Sequence, residues 1–319
     1  MADKKRLLVT GSCGFIFGNF LRQVVYEKYP YQLISLDKVN TQSINSMYWN
    51  KNHIFYIADI RDSHIIDTIF QLEKPEIVIH GAAETISNHL TENANSIISS
   101  NVLGTQNIIN ACVKYKVKKL VYMSTDKVYG PLSLEDNLKL ESDNFSPKTP
   151  FAATKVAGEL LIKAAHESSE LNYNIIRGTN NYGPRQSIQK LIPKIIKCAL
   201  NKETIPIYGS GSQVRTWTHV QDTCNGIYNV LQHGRDNETY NMSSGQEFSN
   251  LEIAMHVCNA LGKGHDLIRH VQDPLKPHDL RYGINSSKLK ELGWKPIFKF
   301  KDGIAETVQW YLNNQWYFK

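Results

Sequence analysis

Along the first half of the chain, short runs of apolar and β-branched residues alternate with stretches whose apolar positions recur every three or four residues. RLLVTG, QLISLD, HIFYIADI, EIVIHGAA and KLVYMST read as strands, and NFLRQVVYEKY, HIIDTIFQLE and NVLGTQNIINACVKY read as helices. Strands separated by helices of this length require a parallel sheet covered on both faces, so the pattern predicts an α/β fold built on a doubly wound parallel sheet. The near-continuous apolar character of EIVIH and KLVYM fits strands buried on both sides.

From Phe151 a long helix, FAATKVAGELLIKAAHESS, leads to one more strand, YNIIRG, and the texture then changes. Turns such as NNYGPRQ and YGSGSQ break up shorter elements, which predicts a smaller C-terminal α/β lobe. The expected division is residues 1–178 for the first domain and 179–319 mainly for the lobe. Residues 214–242, with the helix VQDTCNGIYNVLQ, are expected to return to the first domain. PLSLEDNLKLESDNFSPKT reads as a loop or lid before the long helix.

Composition narrows the class. With 319 residues, 41% of them hydrophobic, the chain can bury a large core. Its apolar runs are too short to span a bilayer, and the start enters a strand directly, so neither a membrane segment nor a signal peptide is expected. The formal charge of +6 is scattered, and the one local run, KYKVKKL, sits where cations favour a helix end, so no nucleic-acid partner is expected. Five cysteines without a C-x-x-C pair or a His partner at ligand spacing argue for reduced, buried thiols in a cytoplasmic protein and against a metal site.

The first candidate chemistry is VTGSCGFIFG, between the first strand and the first helix. Gly11 and Gly14 allow a tight turn and close backbone approach to a pyrophosphate at the helix N-terminus. Cys13 in that turn reads as a packing residue, since no base is implied beside it. The second strand ends at Asp37, whose carboxylate can bond a ribose 2'-hydroxyl and would repel a 2'-phosphate; Lys38 next to it works against that exclusion. Asp59 can contact adenine, and HGAAE, with Ala82, Ala83 and Glu84, would line the cofactor's middle. The expected cofactor is NAD. His80 reads as a hydrogen-bonded structural histidine and Trp294 as a core anchor.

With TGSCGFI, HGAAE, NVLGTQNI, YMSTDKVYG, FAATK, NNYGP, KLIPKII, PIYGSGSQVRTW, YNMSSG and LGWKP, the chain resembles the extended short-chain dehydrogenase/reductase superfamily, whose fold is Rossmann-type. Within it, the resemblance is to nucleotide-sugar 4,6-dehydratases of the dTDP-glucose type, and it runs from Arg6 to about Tyr311. It implies that NAD oxidises the sugar at C4, water leaves across C5 and C6, and the hydride returns to C6. The partner implied is a nucleotide-diphosphate sugar, dTDP- or UDP-glucose, and a homodimer is implied through NVLGTQNIINACVK and FAATKVAGELLIKA. Further cofactor contacts are implied at Phe15, Ile16, Ile60, Asn101, Ser124, Lys155, Gly178 and Asn180. Substrate contacts are implied at Thr85, Asn180, Lys190, Leu191, Pro206, Ile207, Tyr208, Arg215, Asn250 and Arg281, the two arginines serving as a diphosphate clamp.

The catalytic frame carried over by resemblance is Thr125, Asp126, Lys127, Phe151 and Lys155. Lys127 stands where the family has a Glu base, and Phe151 where it has the Tyr of a Tyr-x-x-x-Lys pair. Lys127 reads as a solvated lysine, as a base in its own right (a branch acting on UDP-N-acetylglucosamine carries Thr-Asp-Lys here), or as loss of the base. Phe151 has no proton to exchange, and Tyr129 and Tyr182 are the candidate substitutes. Phe17 takes the place of the third glycine, with Gly18 offering a one-residue shift, and Leu275, Lys276 and Pro277 replace the usual Arg-Pro-Gly. Three functions remain open: a 4,6-dehydratase, a catalytically disabled protein that binds NAD and nucleotide sugar, and a C4 epimerase.

Overall fold

Leu7 and Val9 point to one side of the first strand and Leu8 to the other, and all three are fully buried, so this strand needs cover on both faces. It is β1 (Lys5–Thr10), followed by α1 (Phe15–Tyr26), β2 (Tyr31–Asp37), β3 (His53–Ile57), α2 (Ser63–Glu73) and β4 (Ile77–His80). The computed structural model describes residues 4–39, 47–51, 53–85, 94–272 and 280–318, so Leu275, Lys276 and Pro277 lie outside the described residues. Next come α3 (Ala94–Ile98), a π-helical turn (Ser99–Gly104) and α4 (Thr105–Lys114), helical without a break, then β5 (Lys119–Thr125) and a 3-10 turn (Asp126–Tyr129). An irregular stretch leads to α5 (Pro150–Ser169), where Thr149 caps the Ala152 N–H and Pro150 occupies the first turn.

β6 (Tyr173–Gly178) is followed by β7 (Asn180–Tyr182), α6 (Leu191–Asn201), β8 (Ile205–Tyr208), β9 (Val214–His219), α7 (Val220–His233) and β10 (Glu238–Met242). The chain finishes with β11 (Glu247–Ser249), α8 (Asn250–Ala260), β12 (Ile268–Val271), β13 (Arg281–Tyr282), α9 (Ser287–Glu291) and α10 (Phe300–Asn313). Seven parallel strands form the main sheet in the order β10-β6-β5-β4-β1-β2-β3. β1 pairs with both β2 (Leu7 opposite Leu33) and β4 (Leu7 opposite Ile77), so strand order reverses there and a crevice opens beyond the strand C-termini. The doubly wound α/β fold with a smaller C-terminal lobe, expected from the hydrophobic pattern, is the fold formed.

Each face of the sheet has its own core. Leu7, Val9, Val121 and Ile176 pack under α1 and α7 with Phe20, Ile227 and Trp294. Leu8, Ile34, Val78, Leu120 and Ile175 pack with Phe70, Ile108 and Ile162 on the other face. The smaller lobe joins β11-β9-β13, with β7 beside β9, to a β12-β8 pair around Ile196, Ile207, Trp217, Val257 and Ile304.

α5 buries Ala152, Lys155, Glu159 and Ile162, a mixed rather than apolar face. Glu159 accepts Arg177 Nη2 at 2.6 Å and Ser124 Oγ at 2.5 Å, and Arg177 and Glu159 are only 1% and 0% exposed at their side chains. Arg177 Nη1 also donates to Tyr129 Oη at 2.5 Å and to the Glu141 carbonyl, and Tyr129 Oη donates to Asn241. This network ties three elements of the main sheet to the stretch before α5. That stretch is held down at its other end: Leu132 and Lys139 bridge to Arg281 and Ile284.

Candidate active site

A cavity of about 550 Å³ occupies the crevice at the strand reversal. Its floor is made by residues that end strands: Gly11, Cys13 and Gly14 after β1, Asp37 and Lys38 at β2, Ala58 to Ile60 after β3, Gly81 to Ala83 after β4, Ser124 and Thr125 at β5, and Gly178 at β6. Phe15, Ile16, Thr85, Lys127, Phe151, Lys155, Asn180, Lys190 and Leu191 also line it. Most residues singled out from the sequence are thus brought to one wall or another of a single space.

The turn after β1 is shaped for close approach. Gly11 has φ +72°, and a Cβ there would fall 2.7 Å from the Ala82 nitrogen. Gly14 opens α1 without a side-chain cap, and the first turn holds no acidic residue, so its first N–H groups and positive end are available to an anion. Asp37 accepts the Cys13 N–H and the Val39 N–H at 2.9 Å each, and its carboxyl is raised mainly by burial, the two N–H groups pulling the other way. Burial also pushes the Cys13 thiol up to about 12, so it is not a nucleophile at neutral pH.

Phe17 fits where a glycine is expected, and the relief does not come from Gly18. Gly18 donates to the Gly14 carbonyl at 2.8 Å as an ordinary helical residue, with no shift of register. The Phe17 ring instead lies over Gly81, where an added Cβ would sit 1.8 Å from Phe17 Cε2. The missing side chain at the end of β4 is the space the ring occupies. The turn, the uncapped helix and the carboxylate of Asp37 therefore fit the pyrophosphate and ribose of a dinucleotide.

At the other end of the cavity, Thr125 ends β5 and its Oγ1 donates to Asp126 Oδ1 at 3.1 Å. Asp126 itself is 2% exposed, does not line the cavity, and has its carboxyl raised by burial, against Lys127, Thr125 and Arg215. Lys155 is buried with Nζ 4.0 Å from the Tyr122 ring centre, and burial lowers its ammonium to about 7 although Glu159 acts in the opposite direction. Lys190 is lowered by desolvation and by the charge of Lys127.

Several candidates lie elsewhere. Asn101 sits behind the wall, its amide bracketing Glu84 by accepting the Glu84 N–H at 2.7 Å and donating to the Glu84 carbonyl at 3.0 Å, while its neighbour Ser100 faces the cavity. Glu84 also stands behind the lining. Pro206, Ile207 and Tyr208 run along β8, and Asn250 donates to Gln213 at the start of α8. Arg215 lies over the Tyr282 ring, and Arg281 pairs with Glu247 at 2.9 Å and donates to the carbonyls of Leu134 and Asp136. The cavity reaches neither arginine. Tyr129 is committed to Arg177 and Asn241, and Tyr182 packs against His219 and Phe300 in the small lobe, so neither stands in for the phenol absent at Phe151.

Sequence reasoning missed Met123, Thr179, Gln186, Ser187, Gln189 and Trp217 among the lining residues. Gln186 to Gln189 follow NNYGP with no local pattern to mark them. No tyrosine lies among the described residues that line the cavity. His80 bridges Thr10 at 2.7 Å and Thr105 at 2.9 Å behind this floor, with its ring held down to about 3 by burial.

A crevice at the reversal of a doubly wound sheet, with a glycine turn, Thr125 and a buried lysine four residues after an aromatic, defines an extended short-chain dehydrogenase/reductase. The chain belongs to the family described as GDP-mannose 4,6 dehydratase, which matches residues 8–307. Among its relatives, a low-salt glycan biosynthesis protein of Haloferax volcanii is 36% identical over 312 residues, covering 97% of this chain and 99% of the relative. A dTDP-glucose 4,6-dehydratase of Streptomyces niveus is 36% identical over 320 residues, 97% of this chain and 94% of that one. The crystal structure of a dTDP-glucose 4,6-dehydratase from Streptomyces venezuelae with NAD bound superposes with a TM-score of 0.89, at 36% identity and 98% coverage of each chain.

Proposed function

We propose that this protein is an NAD-dependent nucleotide-sugar 4,6-dehydratase acting on dTDP- or UDP-glucose. The observation that carries the reading is the convergence of the uncapped glycine turn, Thr125, Lys127 and Lys155 on one cavity, in a chain of this family. Residues 1–178, with 214–242, would form the NAD-binding half, and 179–319 mainly the nucleotide-sugar lobe. Bound NAD supplies a hydride acceptor that becomes the donor later in the cycle. Gly11, Gly14 and the start of α1 hold its pyrophosphate, and Asp37 its adenosine ribose. Thr125 orients the sugar's C4 oxygen.

Burial raises the Asp126 carboxyl toward the protonated form that an acid for the departing hydroxyl requires, and Thr125 Oγ1, on the cavity wall, donates to its Oδ1 at 3.1 Å. Lys127, on the cavity wall, takes the C5 proton, and its charge is felt at Lys190, whose ammonium it lowers together with burial. Phe151 cannot take the proton that the C4 hydroxyl loses as its hydride moves to NAD, so that proton leaves through Thr125 or a water, and turnover is expected to fall about 10²- to 10⁴-fold below that of a site with the phenol. A second reading, a protein that binds NAD and nucleotide sugar without turnover, draws on the lack of any tyrosine among the described lining residues.

One experiment separates them. The protein and its Phe151→Tyr variant are incubated with UDP-glucose, dTDP-glucose and UDP-N-acetylglucosamine, with and without NAD, and assayed for the chromophore of a 4-keto-6-deoxy sugar in base. Slow product from the wild type and faster product from the variant support the dehydratase. Binding of NAD and sugar in calorimetry with no product from either would establish the binding protein.

A further inference from the structure

The adenosine end of the cavity poses a question that Asp37 alone does not answer. Lys38 follows it directly and also lines the cavity, and a lysine there would ordinarily welcome a 2'-phosphate. Its ammonium is already engaged. Lys38 Nζ lies 2.5 Å from Glu84 Oε1, and the other Glu84 oxygen accepts Ser96 Oγ at 2.7 Å. Asn101 grips the Glu84 backbone at both its N–H and its carbonyl, so the residue is pinned at its backbone while Lys38 and Ser96 hold its carboxylate.

The second cation at this rim is held in the same way. Arg61 forks onto Asp59, with contacts of 2.6 to 3.0 Å to both carboxylate oxygens. A 2'-phosphate brought against Asp37 would therefore meet two neighbouring carboxylates, and the two cations described at this rim, Lys38 and Arg61, are each already held in a pair. A 2'-hydroxyl needs no such cation.

We infer that Glu84 is a positioning residue for cofactor choice: by holding the Lys38 ammonium it withholds the charge that NADP would need, and so enforces selection of NAD. The inference deepens the proposed reading and rests on NAD binding in this crevice. Glu84 acts through Lys38, without lining the cavity.

Calorimetric titration of wild type, Glu84→Gln, Glu84→Asp and the Lys38→Met/Glu84→Gln double variant with NAD and with NADP tests it at low salt, each variant first checked for a cooperative thermal melt. The wild type is expected to prefer NAD. Glu84→Gln should tighten NADP about 5- to 10-fold while NAD changes less than about 3-fold, as one freed charge near a phosphate allows. The shorter Glu84→Asp should give a smaller gain of the same sign, and it carries the test if Glu84→Gln does not fold. Removing Lys38 as well should abolish the gain. A parallel loss of both dinucleotides would mark Glu84 as merely structural, and a gain that survives without Lys38 would assign it to another group; either overturns the inference. Failure of wild type to bind NAD would instead overturn the reading beneath it.

Discussion

Lys155 is a cation in a place that favours the neutral amine. Its ammonium titrates at about 7 in the folded chain against an ordinary 10.5. Between those values the unfolded chain binds more protons than the folded one, so this group makes the protein more stable as pH rises through the window, and its full penalty is present below pH 7. Lys155→Met is therefore expected to stabilise the unliganded protein, by up to ~4 kcal/mol near neutral pH and progressively less toward pH 10. Thermal melts of both proteins at pH 6.5, 8.5 and 10 would check this, and a difference that does not move with pH would remove burial of the charge as its cause. Phe17 shows where local reading stops at this scale. A phenylalanine at the third glycine position looks like a clash from the sequence, because its complement, Gly81, belongs to another strand end and no spacing rule connects the two.

At the scale of elements, α5 carries chemistry and support together. Lys155 and Phe151 face the cavity, while Glu159, one turn after Lys155, anchors Arg177 on β6 and Ser124 on β5. An ion pair this deeply buried is costly to break from one side, so Arg177→Met or Glu159→Gln alone should cost roughly 3–5 kcal/mol. Replacing both with apolar residues of similar size should recover most of that loss. Urea denaturation of the two single variants and the double would show it, and additive losses would argue against a coupled pair. Strands and helices were legible because their periodicity reports which face is buried. The residues at strand ends were legible because a parallel sheet delivers them to one edge. Which way a side chain turns from a loop was not: Asn101 and Ser100 are neighbours, yet the one braces Glu84 and the other faces the cavity. Arg215 and Arg281 carried the right chemistry for a diphosphate, but position in a motif does not specify that Arg281 is bound to Glu247.

For the whole molecule, the outer faces of α4 and α5 remain open. Leu103, before α4, is 59% exposed and Leu160 on α5 is 52% exposed, beside a groove containing Ile109, Val113 and Leu161. A homodimer joined through these helices would bury them, so light scattering should report a dimer for the wild type and a shift toward monomer for Leu160→Glu. The position of β10 has a further consequence for how the protein is made. The sheet that frames the cavity gains its last strand from residues 238–242, which pair with β6 only after the segments of β7, β8 and β9 have been synthesised. On the ribosome, β6 must wait with Ile175 and Ile176 in an unfinished layer and one edge open. The sheet edge therefore stays open from the synthesis of β6 until residue 242, and it closes before β11, α8, β12, β13 and α10 of the small lobe have been made.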